Sequence, residues 1–208
     1  MPEKKIILMG YSFFDKYYLN PSEEIAKLLD GQSIEEFSIK GIVLPVSVEK
    51  VKKEVPRILM SENASIVLGL GLSPIIDKPV IELSFVNLLY FTRPDIDGMT
   101  YKFESIVENA PMVLSTNLPF KEICEECEHK GIGVRPGVGI GTYLCNMLGY
   151  LIAYFARTKK FIGGFIHIPP HTDLAMRIGL PVSVSLHEIL DSIKCVLRAT
   201  VKYVKRYG

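Results

Sequence analysis

The sequence predicts an α/β sandwich built around a largely parallel sheet, and two observations lead to this prediction. Short, continuously apolar runs bounded by Gly or Pro alternate along the chain with longer helical patterns. This order is typical of strands and helices in α/β proteins. The apolar runs also lack the polar alternation of half-exposed strands, so we expect them to be buried on both faces of the sheet.

The predicted strands are short runs rich in aliphatic and β-branched residues. They cover residues 5–9, 41–44, 65–70, 112–115 and 161–168. The first run leads directly into Gly10 and a polar segment. It is therefore too short for the apolar region of a signal peptide, and a first strand is the better interpretation.

The helical patterns fill the segments between these strands. They cover residues 22–29, 47–60, 118–130, 142–158 and 185–207. The first begins with a capping residue, Asn20, followed by early acidic residues. Pro56 lies inside the second and predicts a kink or an early end. The glycine-rich segment 131–141 is predicted to be a loop; a phosphate cradle is the alternative, although its spacing is not that of a dinucleotide fingerprint.

Composition limits the class of protein. The 208 residues are 48% apolar and 23% charged, with a net charge of +1. They predict one globular domain over residues 1–208 and give no indication of nucleic acid or an anionic membrane as partner. No apolar run approaches the ~18 residues that a membrane-spanning helix needs. We therefore expect a cytoplasmic protein.

The sequence contains four cysteines, Cys124, Cys127, Cys145 and Cys195. A cytoplasmic chain of this size is not expected to use them as a disulfide framework. Cys124 and Cys127 form a C-x-x-C, which suits a redox pair or, with His129, half of a zinc site. Because the pair lies inside a predicted helix, two cysteines one turn apart are the favoured interpretation, and no metal is predicted. Cys195 is expected on the apolar face of the last helix, with a contact between subunits as the alternative.

Cys145 is the first candidate for chemistry. It lies in the first turn of a predicted helix that follows the glycine-rich loop. The positive end of the helix dipole favours the thiolate, which is the nucleophilic form. The N–H groups of the loop could also face a developing oxyanion. The alternative is that Cys145 is a buried small apolar residue.

His167 and Glu82 supply the other two roles of a nucleophile, base and orienting set. His167 ends a predicted buried strand, at the sheet edge where α/β proteins assemble their sites. Glu82 stands among apolar neighbours, and a buried carboxylate needs a partner such as a histidine N–H. The alternatives are a strand-end histidine bonded to local backbone and an exposed glutamate on an edge strand.

Several segments, spread over nearly the whole chain, carry a family resemblance. Residues 141–146 (GTYLCN) resemble the nucleophile motif of pyroglutamyl peptidases, and residues 164–169 (GFIHIP) resemble their histidine motif. Residues 81–87, followed by Pro94-Asp95 and Gly98, look like the glutamate segment of that family. Residues 20–23, 118–120 and 131–132 are similar as well.

The resemblance implies a three-layer α/β/α sandwich around a mostly parallel mixed sheet. It implies a cysteine exopeptidase of the omega type, which removes N-terminal pyroglutamyl residues from peptides. Cys145 would be the nucleophile, His167 the base and Glu82 the orienting carboxylate. It also implies a homo-oligomer, either tetramer or dimer, that uses no cofactor.

The resemblance also implies roles around the catalytic residues. Tyr11 and Phe14 take the two aromatic positions that pack on the pyroglutamyl ring, and Leu72 and Tyr143 would contact substrate. Arg93 lies one position later than the arginine that the family places near the oxyanion.

The chain departs from the family pattern in the loops that face substrate. The first loop of the family resembles Gly-Phe-Glu-Pro-Phe-Gly-Gly, whereas residues 10–16 read GYSFFDK and lack both final glycines. Isoleucines at positions 75 and 76 replace a glycine and an arginine. An altered acyl specificity is therefore one alternative, and a homologue that binds a peptide or ligand without turnover is another. A nucleoside-phosphorylase-like enzyme would need a phosphate site, and the sequence indicates none.

Overall fold

The computed structural model describes residues 4–207. The strands are β1 (Lys4–Tyr11), β2 (Ser33–Ile34), β3 (Phe37–Leu44), β4 (Ala64–Leu72), β5 (Val80–Glu82), β6 (Ser84–Val86), β7 (Leu89–Phe91), β8 (Tyr101–Glu104), β9 (Val113–Ser115), β10 (Arg135–Gly137) and β11 (Ile162–Ile168). The helices are α1 (Pro21–Leu29), α2 (Val48–Ser61), α3 (Phe120–Glu128), α4 (Leu144–Lys159), α5 (Thr172–Ile178) and α6 (Leu186–Tyr207).

Within residues 4–207, seven strands form one sheet in the order β10-β5-β11-β4-β1-β3-β2. Strands β3, β1, β4 and β11 are parallel neighbours. Strand β5 is antiparallel to β11, and β2 is antiparallel to β3. The sheet is therefore mixed but mostly parallel, and the predicted α/β class is confirmed.

The central strands are buried on both faces, because successive side chains of a strand point to opposite sides. In β1, Ile7 and Met9 pack in the apolar cluster that contains α2 and α4. Ile6 and Leu8 pack in the cluster that contains α1, α3 and α6. Helices thus cover the sheet on both sides and make three layers.

Local signals explain where several helices begin. The Asn20 side chain accepts from the backbone N–H of Ser22 and caps α1, and Ser47 caps α2. Of the two outcomes expected at Pro56, a kink or an early end, the early end is wrong, since the helix continues through the proline to Ser61. Helix α4 begins at Leu144, two residues later than predicted, which leaves Cys145 in its first turn.

Several short strands were not predicted. Strand β5 has three residues, and β10 lies inside the segment 131–141 that was expected to be a loop. Such segments are too short to show a periodicity, and they become strands because a neighbouring strand supplies hydrogen bonds.

Two cysteines form a disulfide, which corrects the expectation that the chain has none. Cys127 of α3 is bonded to Cys195 of α6, 68 positions further along the chain, with their Cα atoms 5.9 Å apart. Both side chains are buried where the two helices pack together. Cys124 is a half-buried free thiol. Among the described residues, no group of three or more His, Cys, Asp or Glu could hold a metal ion.

No helix within residues 4–207 combines the length and the apolar character that a membrane span requires.

Candidate active site

The site lies at the carboxyl ends of two parallel strands. Strands β4 and β11 are paired so that His167 lies opposite Gly71. His167 is the next-to-last residue of β11, and its side chain is largely buried. Parallel strands bring their carboxyl ends to one edge of the sheet, where α/β proteins bind their ligands.

Strand β5 brings Glu82 to His167. Because β5 is antiparallel to β11 and Glu82 lies opposite Phe165, Glu82 and His167 are diagonal neighbours on one face. Glu82 Oε1 is 2.7 Å from His167 Nδ1, and Glu82 Oε2 accepts from the Gly139 N–H at 3.1 Å. Glu82 is only 3% exposed, so the alternative of an exposed edge-strand glutamate is wrong. Its two oxygens are held by a ring nitrogen and a backbone amide.

Cys145 reaches the same place from the first turn of α4, and its thiol is half-buried. A Cβ atom at Gly71 would come within 2.8 Å of Cys145 Sγ and 2.7 Å of the Phe165 ring. Any larger residue at position 71 would therefore push the thiol or the ring aside.

The pKa of His167 is raised to about 9. Burial lowers the pKa, but hydrogen bonds and charge interactions with Cys145 and Glu82 raise it by more. A raised pKa favours the imidazolium at neutral pH. The arrangement therefore places a cationic ring beside the Cys145 thiol and in hydrogen-bond contact with the Glu82 carboxylate.

Asn146 fixes the start of α4. Its side chain is fully buried and forms hydrogen bonds with the backbone of residues 86–88. Oδ1 accepts from the Val86 N–H at 2.9 Å, and Nδ2 donates to the carbonyls of Val86 and Leu88. Sequence reasoning assigned no role to Asn146, although an amide within an otherwise apolar helical run was a usable signal.

A second anchor comes from β1. The Tyr11 hydroxyl donates to the carbonyl of Leu144 at 2.6 Å, and the ring is buried. Burial raises the pKa of Tyr11 well above its usual value, so this hydroxyl stays protonated as a donor. Tyr11 therefore contacts the first residue of the helix that carries Cys145.

A cavity of about 170 Å³ opens beside Cys145. For scale, a cavity of about 150 Å³ holds a benzene ring. The residues expected to contact substrate all line it, namely Tyr11, Phe14, Leu72 and Tyr143, and so does Arg93. The lining also includes Tyr17, Asn20, Val46, Gly71, Pro74 and Leu144, none of which sequence reasoning assigned to substrate. The cavity suits one small ring next to the thiol.

Arg93 organises the first loop. Its guanidinium donates to Asp15 Oδ2 at 2.8 Å and lies over the rings of Phe14 and Tyr17, 4.9 and 5.3 Å from their centroids. Asp15 has a φ of 53°. Asp15 takes the first of the two glycine positions that the chain lacks, and aspartate is among the few residues that tolerate a left-handed φ. The turn thus persists without glycine and gains a charge that pairs with Arg93.

His171 is a further buried group that sequence reasoning did not single out. It caps α5 through Nδ1, and its Nε2 is 3.2 Å from Glu24 Oε2 in α1. It joins two helices next to the first loop and takes no part in the Cys145 cluster.

Comparisons with known proteins show which proteins this chain resembles. Residues 4–203 match the family model described as pyroglutamyl peptidase. The chain is 33% identical over 190 residues to the pyrrolidone-carboxylate peptidase of Saccharolobus islandicus, which covers 91% of each protein. Two solved structures are similar over almost their whole length. Pyrrolidone carboxyl peptidase of Thermococcus litoralis has a TM-score of 0.93 at 30% identity, covering 99% of this chain and 96% of the other. The Pyrococcus furiosus enzyme has a TM-score of 0.92 at 30% identity, covering 96% and 99%.

Proposed function

The chain belongs to the pyroglutamyl peptidase family, and on that premise we propose that it removes N-terminal pyroglutamyl residues from peptides through Cys145, His167 and Glu82. Like its relatives it is a cysteine exopeptidase. The observation that carries the proposal is the Glu82–His167 hydrogen bond of 2.7 Å beside a thiol in the first turn of α4.

In the first half of the reaction, Cys145 forms the acyl-enzyme. The thiol proton passes to His167, and the thiolate attacks the exocyclic carbonyl carbon of the pyroglutamyl residue. When the tetrahedral intermediate collapses, the peptide C–N bond breaks and His167 gives its proton to the departing amine. Glu82 holds the imidazole in the tautomer and orientation that both proton transfers need.

In the second half, water clears the thioester. His167 takes a proton from the water as it attacks the thioester carbonyl. The C–S bond then breaks, the Cys145 thiolate leaves with the imidazolium beside it, and pyroglutamate is released. No metal or cofactor enters these steps.

The cavity supports a pyroglutamyl ring as the acyl group. Tyr11 and Phe14 offer aromatic faces, and Leu72 and Tyr143 complete a mostly apolar wall of suitable volume. For the oxyanion there are two candidates, the Arg93 guanidinium and the backbone N–H groups at the start of α4. Arg93 is already engaged by Asp15, so the backbone is the better candidate.

We further infer from the family resemblance a cytoplasmic homo-oligomer, either tetramer or dimer. The exposed, stacked pair of Tyr90 and Phe103, with centroids 4.8 Å apart, is apolar surface of the kind that subunit contacts cover. Light scattering of the purified protein tests the oligomer.

The test of function uses matched amides. The purified, reduced protein is mixed with chromogenic pyroglutamyl, prolyl and alanyl amides, before and after alkylation of Cys145. We expect release from the pyroglutamyl amide alone, abolished by alkylation. A thiol that alkylates quickly while none of the amides reacts would instead indicate a different acyl group. An inert thiol would favour a binding protein without turnover.

A further inference from the structure

The polar side chains that line the cavity are mostly committed to partners inside the protein. The Tyr11 hydroxyl donates to the carbonyl of Leu144, and the Tyr143 hydroxyl donates to that of Pro94. The Asn20 side chain uses both ends, since its amide donates to backbone and its oxygen accepts in the cap of α1. Neither tyrosine hydroxyl can donate to a ligand without losing its existing hydrogen bond.

Tyr17 is different. Its half-buried ring lines the cavity, yet no hydrogen-bond partner for its hydroxyl is found within residues 4–207. The residue is nevertheless held in place. Its backbone exchanges two hydrogen bonds with Phe14, and its ring lies under the Arg93 guanidinium at 5.3 Å. Tyr17 thus presents an uncommitted O–H group on an ordered loop.

A pyroglutamyl ring brings one strong acceptor, the lactam carbonyl, into an otherwise apolar cavity. A polar group that leaves water without finding a partner makes binding unfavourable. A site that hydrogen-bonds a substrate group also rejects analogues that lack this group. A donor that is free to turn towards the ring would therefore favour binding of the lactam carbonyl.

We propose that the Tyr17 hydroxyl donates a hydrogen bond to the lactam carbonyl and so sets the specificity for the pyroglutamyl group. This inference rests on the proposed function and adds to it a residue that the family resemblance did not supply. Loop residues 14–17 would then act as one unit, with Phe14 contacting the ring face and Tyr17 contacting its polar edge. The Arg93 guanidinium holds both rings in position.

The variant Tyr17→Phe tests the hydroxyl alone, because it keeps the ring under Arg93. We expect kcat/KM for the pyroglutamyl amide to fall about 10-fold, the usual effect of losing one neutral hydrogen bond. We also expect 2-pyrrolidone, the bare lactam, to protect Cys145 from alkylation about 10-fold less well. The alkylation rate without ligand should not change. Tyr18→Phe is the matched control, since Tyr18 is exposed and lies outside the cavity lining.

Each outcome decides between the possibilities. An active wild-type enzyme with a Tyr17→Phe variant within twofold of it would overturn this inference and leave the proposed function intact. A parallel fall in the rate of alkylation without ligand would also overturn it, because the variant would then have disturbed the nucleophile. A wild-type protein that does not cleave the pyroglutamyl amide would overturn the proposed function itself, and the inference with it.

Discussion

Glu82 and His167 lie 85 positions apart in the chain, yet Glu82 Oε1 is 2.7 Å from His167 Nδ1. This contact exists because β5 is inserted antiparallel beside β11, which makes the two residues diagonal neighbours. The carboxylate stabilises the imidazolium that the proposed reaction forms. The pair therefore links the order of the strands to the protonation state of the catalytic base.

The first prediction concerns the dependence of activity on pH. The pKa of His167 is raised from its usual value to about 9, so the imidazolium needed as general acid is present below that pH and lost above it. We expect kcat/KM to fall on the alkaline side with a midpoint near pH 9. Glu82→Gln removes one cause of the raised pKa, so its alkaline limb should move to lower pH. A profile of kcat/KM between pH 6 and 10.5 measures both midpoints.

The same variant should also lose rate at its optimum. A neutral amide no longer fixes the productive tautomer of the histidine, and we expect a loss of about 100-fold or more in kcat. Glu24→Gln is the control, because Glu24 faces the other buried histidine, His171. If Glu82→Gln kept both the rate and the alkaline midpoint of the wild type, Glu82 would not be the orienting carboxylate.

The second prediction concerns the nucleophile. Cys145→Ala should fold normally and lose all turnover, since the variant lacks the thiol that is proposed as the nucleophile. Cys124→Ala is the matched control, because Cys124 is the other free cysteine of the described residues and lies on α3. Circular dichroism checks that both variants fold, and hydrolysis of the pyroglutamyl amide measures the turnover of each. Measurable turnover by Cys145→Ala would remove the proposed mechanism.

The third prediction separates two roles of Arg93. If Arg93 mainly orders the first loop, Arg93→Ala should raise KM about 3- to 10-fold and change kcat little, in line with the modest energies of exposed ion pairs and cation–π contacts. A fall in kcat of about 100-fold with little change in KM would instead identify an oxyanion role. Arg177→Ala is the control, because Arg177 lies over an exposed ring, Tyr18, outside the cavity lining.

The fourth prediction concerns the start of α4. Asn146→Ala removes the side-chain partner of part-buried backbone groups of Val86 and Leu88, which should cost about 1–3 kcal/mol of unfolding free energy. Because Asn146 adjoins Cys145, kcat should also fall. Asn87→Ala is the matched control, since Asn87 is also a buried asparagine and its side chain forms hydrogen bonds with the backbone of residues 106–110.

Urea unfolding and kinetics of the two asparagine variants check this expectation. Both variants should lose stability, but only Asn146→Ala should lose kcat out of proportion to the fraction unfolded. Equal effects on kcat would mean that Asn146 acts through stability alone.

The fifth prediction concerns the disulfide. A bond between residues 68 positions apart is expected to stabilise the fold by about 2–4 kcal/mol, mainly by restricting the unfolded chain. Reduction, or the double variant Cys127→Ala/Cys195→Ala, should lower Tm by about 5–15 °C. A thermal melt with and without reductant measures this, with Cys124→Ala as control. An unchanged melt in the double variant would show that the bond contributes nothing to stability.

Local patterns were enough to predict most of the framework. The buried strands β1, β4 and β11 are continuous apolar runs, and α1 carries its own cap in Asn20. Such signals depend on neighbours in sequence, so they can be read without the fold. The segment around Cys145 also placed the thiol in the first turn of a helix. The α/β class followed from these features, and the family followed from the resemblance of the motifs.

Other features had no local signal. Strand β5 is three residues long, and only its place beside β11 brings Glu82 to His167. The disulfide partner of Cys195 was not foreseen, because it depends on how α3 packs against α6. The sequence showed that the first loop lacks both glycines of the family pattern, but only the structure shows that Asp15 adopts the left-handed conformation itself.

The sequence by itself therefore determined the longer strands and helices, the class of fold, the family and the three residues proposed for chemistry. Only the tertiary structure decided which oxygen faces which nitrogen, which cysteines pair, and which hydroxyl in the cavity is left uncommitted. The physical reason is that secondary structure follows from periodicity and capping over a few residues. Hydrogen bonds, disulfides and cavities instead join residues far apart in the chain, and their geometry is set by strand order and helix packing.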